Sequence, residues 1–349
     1  MLRLIGLVLT IALCRESYAD APIKPLFASD ETLSITLSGP LRSIAGDKSD
    51  DPDYRDATLS FLDAAGASHS VAIGLRPRGK SRRNPLACDF PPLRLDLPKK
   101  EVAGTLFDGQ DKLKLVTQCQ TRDPKHLYEQ NVLKEYGLYR AFNRLSPISF
   151  RVRLVEVRYV DQDRHDADTS SFGFFIEDKA DLAGRSQLQI VEVAEVPAAQ
   201  LEPLQANRVE LFQFMIGNTD FSLRLGPPGE SCCHNAVPLL GSDGLYRMVP
   251  YDFDSTGVVD PPYALPARGL HISNVRQRRY RGGCEPLDVF QRVLGEFQSA
   301  RAEVYAALAE QPALTTRTAR TVSSYLDGFY AVANDPKKLQ REVLQICGK

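Results

Sequence analysis

The stretch Val209-Glu-Leu-Phe-Gln-Phe-Met-Ile-Gly-Asn-Thr-Asp220 is an apolar run that ends abruptly in a turn. Its pattern predicts a helix, and Gly217-Asn218 is a helix stop, which leaves Asp220 in a loop just past the helix end. Downstream, His234-Asn235 opens the apolar segment Ala236-Val-Pro-Leu-Leu240, and Leu245-Tyr-Arg-Met-Val-Pro-Tyr251 runs into Asp252-Phe-Asp254. The turn residues Gly241-Ser-Asp-Gly244 between them predict a hairpin, with an Asn at one end and an Asp at the other, both able to face one cation. An Asp that orients a hydroxyl, then an Asn and a second Asp that hold Mg²⁺ on phosphates, is the order that phosphoryl transfer requires. Hard oxygen ligands suit Mg²⁺ or Mn²⁺. On this reading Asp220 is the catalytic residue and Asn235 and Asp252 are metal ligands. Asp254, two residues further along an extended segment, shares the side of Asp252 and is a third ligand or, equally, a turn residue before Ser255-Thr-Gly257. His234 reads as a structural hydrogen-bonding histidine.

Working outward toward the amino end, the pattern becomes strand-like. Leu33-Ser-Ile-Thr-Leu37, Ala57-Thr-Leu-Ser-Phe-Leu62, Val71-Ala-Ile-Gly-Leu75, Leu93-Arg-Leu-Asp-Leu97 and Lys112-Leu-Lys-Leu-Val116 alternate or nearly so, which predicts an antiparallel sheet. The period changes over Tyr128 to Leu145, where Val132, Tyr136, Tyr139 and Asn143 lie roughly on one helical face, and this is expected to be a single helix packed on that sheet. Phe150 to Val160 and Ser171 to Ile176 read as two more strands; beyond residue 180 the helical runs are Pro286 to Glu310, Thr318 to Ala333 and Lys337 to Ile346.

Several of these segments follow one another in the order of a known family. Arg78-Gly79, Asp111-Lys-Leu-Lys-Leu-Val116, Phe150-Arg-Val-Arg-Leu-Val155 and Pro250-Tyr-Asp-Phe-Asp-Ser-Thr-Gly257, with the Asp220 loop, make most of the chain resemble the spore-coat-protein-H (CotH) family of atypical secreted protein kinases. A more distant likeness, to HipA-type kinases, lies in the order Gly217-Asn-Thr-Asp220, Asn235, Tyr251-Asp252. The resemblance implies an α+β, bilobal protein-kinase-like fold, with a β-rich N-terminal lobe over residues 20–180 and a mainly helical C-terminal lobe over 181–349. It implies ATP with Mg²⁺ or Mn²⁺ between the lobes, and transfer of the γ-phosphoryl group to a hydroxyl of a protein substrate. It also places Arg78 in the phosphate-facing loop, beside Arg76, Lys80, Arg82 and Arg83. Two departures stand out: Asp220 and Asn235 are fifteen positions apart where ordinary kinases have five, and there is no ordinary Gly-rich loop or Val-Ala-Ile-Lys motif. For the cation that meets the phosphates, Lys114 in a strand and Glu135 in the following helix form the expected pair, with Lys112 and Arg94 as competitors.

Arg3, the apolar run Leu4 to Leu13 and Ser17-Tyr18-Ala19 read as a secretory signal over residues 1–19, so the protein is expected to be secreted or periplasmic. No other apolar run approaches the ~20 residues of a membrane span. Of the seven cysteines, six lie beyond that leader. An oxidising compartment predicts disulfides, with Cys88 to Cys119 and one of Cys232 or Cys233 to Cys284 as the expected pairing. With 43 basic and 44 acidic side chains, bulk charge gives nucleic-acid binding no support. Two rival readings remain at this point. One is a kinase-shaped, non-catalytic cell-envelope binding or assembly protein; the other is a metal-dependent phosphoesterase built on Asp220, Asp252, Asp254 and His234.

Overall fold

A computed structural model describes residues 23–63, 66–79, 81–84, 88–123, 125–163, 168–267, 269–284 and 286–347. The leader expected over residues 1–19 and the basic residue Lys80 lie outside the described residues. The strands of the front half are β1 (Leu33–Gly39), β2 (Arg55–Leu62), β3 (Ser68–Pro77), β4 (Leu93–Asp96), β5 (Lys112–Val116), β6 (Val152–Asp161) and β7 (Thr169–Ile176). Alternation places Leu33, Ile35 and Leu37 of β1, Leu59 and Phe61 of β2, and Ile73 and Leu75 of β3 in one buried core. Val155, Val157 and Phe175 from β6 and β7 enter the same core.

These strands form a closed barrel in the order β1-β2-β3-β4-β5-β7-β6. Every neighbouring pair is antiparallel except the closing one, in which β1 runs parallel to β6 from Leu33↔Val155 to Gly39↔Asp161. The expected bilobal protein-kinase-like fold is therefore incorrect: the front half is a closed, mixed, seven-stranded barrel rather than an antiparallel sheet at the base of a small lobe. The reason is physical. Alternation along a strand reports which face is buried, not which edge it meets, and closure consumes both edges of the sheet.

The helices are α1 (Leu41–Gly46), α2 (Leu127–Leu145), α3 (Lys179–Arg185), α4 (Pro203–Ile216), α5 (Leu287–Ser299), α6 (Arg301–Ala309), α7 (Thr316–Ala333) and α8 (Pro336–Leu339). The expected single helix on the sheet is α2, but it is covered on nearly every side. Its Tyr136 and Tyr139 meet Phe174 of β7, and its Phe142 meets Phe212 of α4. One apolar core runs from β6 and β7 through α2 to Phe253, Phe290, Leu308 and Phe329, so the helical layer packs directly against the barrel wall. Gly137 permits the closest approach: a Cβ there would lie 3.0 Å from the Ala307 carbonyl of α6. Gly137→Ala is expected to cost about 1–3 kcal/mol by overpacking, read as a lower midpoint in thermal unfolding.

A second, three-stranded sheet is ordered β10-β9-β8, from β8 (Gln189–Ile190), β9 (Ala236–Leu240) and β10 (Tyr246–Pro250). The last two are the expected hairpin, paired from Tyr246↔Leu240 to Pro250↔Ala236. Cys88 is joined to Cys119 as expected. The expected link from Cys232 or Cys233 to Cys284 is not formed; Cys284 pairs with Cys347, and Cys232 with Cys233. Among the described residues no helix is long and apolar enough to cross a membrane.

Candidate functional site

Helix α4 stops because Gly217 turns left-handed, with φ +69, and its amide caps the Gln213 and Phe214 carbonyls. No side chain fits there, since a Cβ would sit 2.0 Å from the Tyr325 hydroxyl. The turn that follows is pinned on both sides of Asp220. Asn218 Oδ1 accepts from the Asp220 amide at 2.8 Å, and the Arg281 guanidinium donates to the Thr219 carbonyl and, at 3.0 Å, to that of Phe221.

The long spacing to Asn235 is absorbed locally. Ser222 and His234 pair backbone to backbone, N–H to carbonyl in both directions at 2.9 and 3.1 Å, so the inserted residues Leu225 to Cys233 form a loop that returns the chain to Asp220. His234 Nε2 then lies 2.8 Å from Asp220 Oδ1. The Asn235 amide donates to Asp220 Oδ2 at 3.2 Å and to the Asp220 carbonyl at 2.7 Å. Tyr251 N–H donates to the Asn235 carbonyl at 3.1 Å, and that bond carries the hairpin's far end back to the same place. Asn235 and Asp252 both have positive φ, 52 and 61, a strained region for side-chain-bearing residues.

Asp252 stands next in this cluster. Its amide donates to the Tyr139 hydroxyl at 3.0 Å, and its carboxylate takes Arg82 Nη2 at 3.2 Å. The same guanidinium faces Asp254 Oδ2 at 3.4 Å and Glu135 Oε2 at 3.6 Å, while the Tyr263 hydroxyl donates to Asp254 at 3.0 Å. Burial pushes the Glu135 carboxyl up to about 8, with Asp254 and Asp252 adding and Arg82 opposing. Burial and then Asp254 raise the Asp252 carboxyl, against Arg82 and Arg78, and Asp220 adds to the rise. Asp220 is thus an electrostatic neighbour of Asp252. Burial works against the charge on Arg82, but Asp254 and Glu135 outweigh it and hold the guanidinium protonated.

Asp252, Glu135 and Arg82 form one side of a cavity of about 470 Å³. The lining also carries the cations Arg78, Arg94, Lys114 and Lys179, the carboxylate of Asp178, and the apolar side chains of Phe150, Tyr251, Val116 and Ile176. Burial, then Arg78, lowers the Lys114 ammonium to about 8, with Asp178 opposing. Of the residues singled out in the sequence, Lys114, Glu135, Arg78 and Asp252 line this cavity. Asp220 and Asn235 do not line it, although Asp220 is a charge neighbour of Asp252. Lys114 and Glu135 do not pair with each other: the cation on Glu135 is Arg82. Asp254 is engaged by Arg82 and Tyr263.

Sequence reasoning missed three contributors. Tyr139 lies four residues after Glu135 on α2, so helical spacing places the two on one face and was the available signal. Arg281 stands in the cluster Arg276, Arg278, Arg279 and Arg281, and Tyr263 in the segment Asp260-Pro-Pro-Tyr-Ala-Leu-Pro266; composition sets neither apart from its neighbours. A larger cavity of about 620 Å³ elsewhere is lined by Arg140 and Arg185, which are engaged by Asp30 and Glu177.

Among the described residues no three His, Cys, Asp or Glu side chains converge on a metal-sized gap, so an all-protein cage for a divalent ion does not fit. An ion that arrives on nucleotide phosphates needs only one or two protein carboxylates. Asp252 lines the cavity and meets that lesser demand; the Asn235 side chain is held on Asp220 and does not line it. No family model matches the chain, and no curated protein matches it.

Proposed function

We propose that this protein is an exported phosphotransferase of the kind the CotH family represents, moving the γ-phosphoryl group of ATP to a hydroxyl of a protein. The proposal rests on side chains and not on a kinase fold. The observation that carries it is the clasp of His234 and Asn235 on the Asp220 carboxylate, beside Asp252 in the lining of a cavity that holds acidic, cationic and apolar side chains. The apolar wall of Phe150 and Tyr251 suits a base, and Arg78 and Lys114 suit the phosphates. Asp252 would hold Mg²⁺ or Mn²⁺, which when bound neutralises charge on the phosphates. Asp220 orients the acceptor hydroxyl and takes its proton as oxygen bonds to the γ-phosphorus and the β–γ bridging bond breaks.

The test is intact-mass analysis after incubation with ATP, metal and an acceptor-protein mixture. A gain of one phosphoryl group supports the reading, a gain of a nucleotidyl group replaces it with nucleotidyl transfer, and no gain argues against both. Lys114→Met is expected to weaken ATP binding about 10- to 100-fold, the loss of one charge-assisted bond of roughly 1.5–3 kcal/mol, measured by calorimetry. One observation favours the non-catalytic reading: Arg82 already compensates the carboxylates of Asp252 and Asp254. ATP binding with no transfer under any metal would favour that envelope-binding or assembly role.

A further inference from the structure

Cys232 and Cys233 are bonded to each other although adjacent in sequence, whereas the other two disulfides join positions 31 and 63 apart. A cross-link stabilises a fold by restricting the unfolded chain within the loop it closes. A link between neighbours closes only an eight-membered ring and restricts no longer stretch of the unfolded chain, so loop closure, which accounts for the other two disulfides, contributes little here. What it adjoins is the Asp220 clasp. The next two residues, His234 and Asn235, supply the side-chain partners of the Asp220 carboxylate. The dipeptide itself is seated by the Cys232 amide on the Val193 carbonyl at 2.9 Å, with Cys233 Sγ 3.3 Å from the Leu223 carbonyl. Cys233 and Cys347 are partly exposed, while Cys232, Cys284, Cys88 and Cys119 are buried, so exposure separates the vicinal pair from Cys88–Cys119, and adjacency separates it from Cys284–Cys347.

We propose that Cys232–Cys233 is a redox-reactive site for a dithiol reductant, and that its opening loosens the hold of His234 and Asn235 on Asp220. The regulatory consequence rests on the phosphotransfer reading; the chemistry of the pair does not. A thiolate of the reductant attacks the accessible Cys233 sulfur, forming a mixed disulfide and releasing Cys232 as a thiolate, which takes up a proton. The second thiol of the reductant then displaces Cys233. Two electrons and two protons have passed to the protein, leaving two cysteine thiols and an oxidised, cyclic reductant. The freed dipeptide regains torsional freedom immediately before His234.

The full folded protein is equilibrated with graded mixtures of reduced and oxidised dithiothreitol, its thiols are trapped with iodoacetamide, and the peptides are mapped by mass. The His234 ring is followed in parallel by NMR. Cys232 and Cys233 are expected to open at a reducing strength at least about tenfold below that needed for either other disulfide, with circular dichroism unchanged. The His234 resonances shift on that opening. The double variant Cys232→Ser with Cys233→Ser is expected to fold and to show the shifted His234 spectrum without reductant. Three disulfides opening together, a His234 spectrum indifferent to reduction, or a double variant that does not fold would each overturn the proposal. Absence of phosphotransfer in both redox forms counts against the proposed function alone, because the mapping and the His234 spectrum are read without it.

Discussion

On the proposed phosphotransfer reading, Asp220→Asn is expected to lower the rate of phosphoryl transfer by roughly 10²- to 10⁴-fold, the usual contribution of a positioned general base, with little effect on folding. The amide has the shape of the carboxylate, and its oxygen still accepts from the Asn235 side chain that now meets Asp220 Oδ2 at 3.2 Å. What it lacks is the charge that takes the hydroxyl proton. The loss should fall on kcat and spare ATP affinity, because Asp220 does not line the cavity that Lys114, Arg78 and Asp252 line. Single-turnover transfer from γ-labelled ATP, with calorimetry for binding, separates the two quantities. A variant keeping more than about a third of the wild-type rate would remove Asp220 from the mechanism. His234→Gln probes the same point from the other side: Nε2 lies 2.8 Å from Asp220 Oδ1, so a positioning role predicts a smaller loss than at Asp220 itself.

Much of the site is legible in the amino-acid sequence, because it is built from the order of its residues and not from their spacing. The run Gly217-Asn-Thr-Asp220 announces a helix stop followed by an acid, and the hairpin announces where Asn235 and Asp252 come together. The fifteen-residue interval looks like a defect, but backbone pairing of Ser222 with His234 closes it. Barrel closure is not legible, since the β1–β6 pair joins distant strands whose alternation is satisfied equally by an open sheet. Nor is the vicinal disulfide, because six cysteines permit fifteen pairings. The choice among the basic residues after β3 is hidden for a similar reason. Arg82 and Arg83 are neighbours in one short turn, Ser81–Arg83, yet Arg82 turns inward to three carboxylates while Arg83 turns out to the Ser49 and Asp50 carbonyls. Composition treats them as equals; the direction of one 3₁₀ turn does not.

Arg82→Met is expected to be the most destabilising substitution at the site, by about 3–5 kcal/mol, the usual result of removing one partner from a buried ionic cluster. The methionine fills similar volume, so the loss reports charge and not packing. Glu135, only 3% exposed, would be left on α2 with the charges of Asp254 and Asp252 opposed by Arg78. The pH dependence follows from the sign of its shift. The folded-state carboxyl of Glu135 is raised to about 8 from an ordinary 4.5, so between those values the folded protein binds more protons than the unfolded chain, and stability falls as pH rises. That contribution is fully present below pH 4.5 and is lost as pH climbs through about 8. Without Arg82 the carboxyl rises further, so the variant should lose more stability at pH 8 than at pH 5, compared with wild type at each. Arg82→Lys should not restore it, because a single ammonium cannot span three carboxylates as the guanidinium fork does. Thermal unfolding of the three proteins at the two pH values decides the matter. An equal loss at both, or full rescue by lysine, would show that Glu135, Asp252 and Asp254 do not depend on Arg82 as one electrostatic unit.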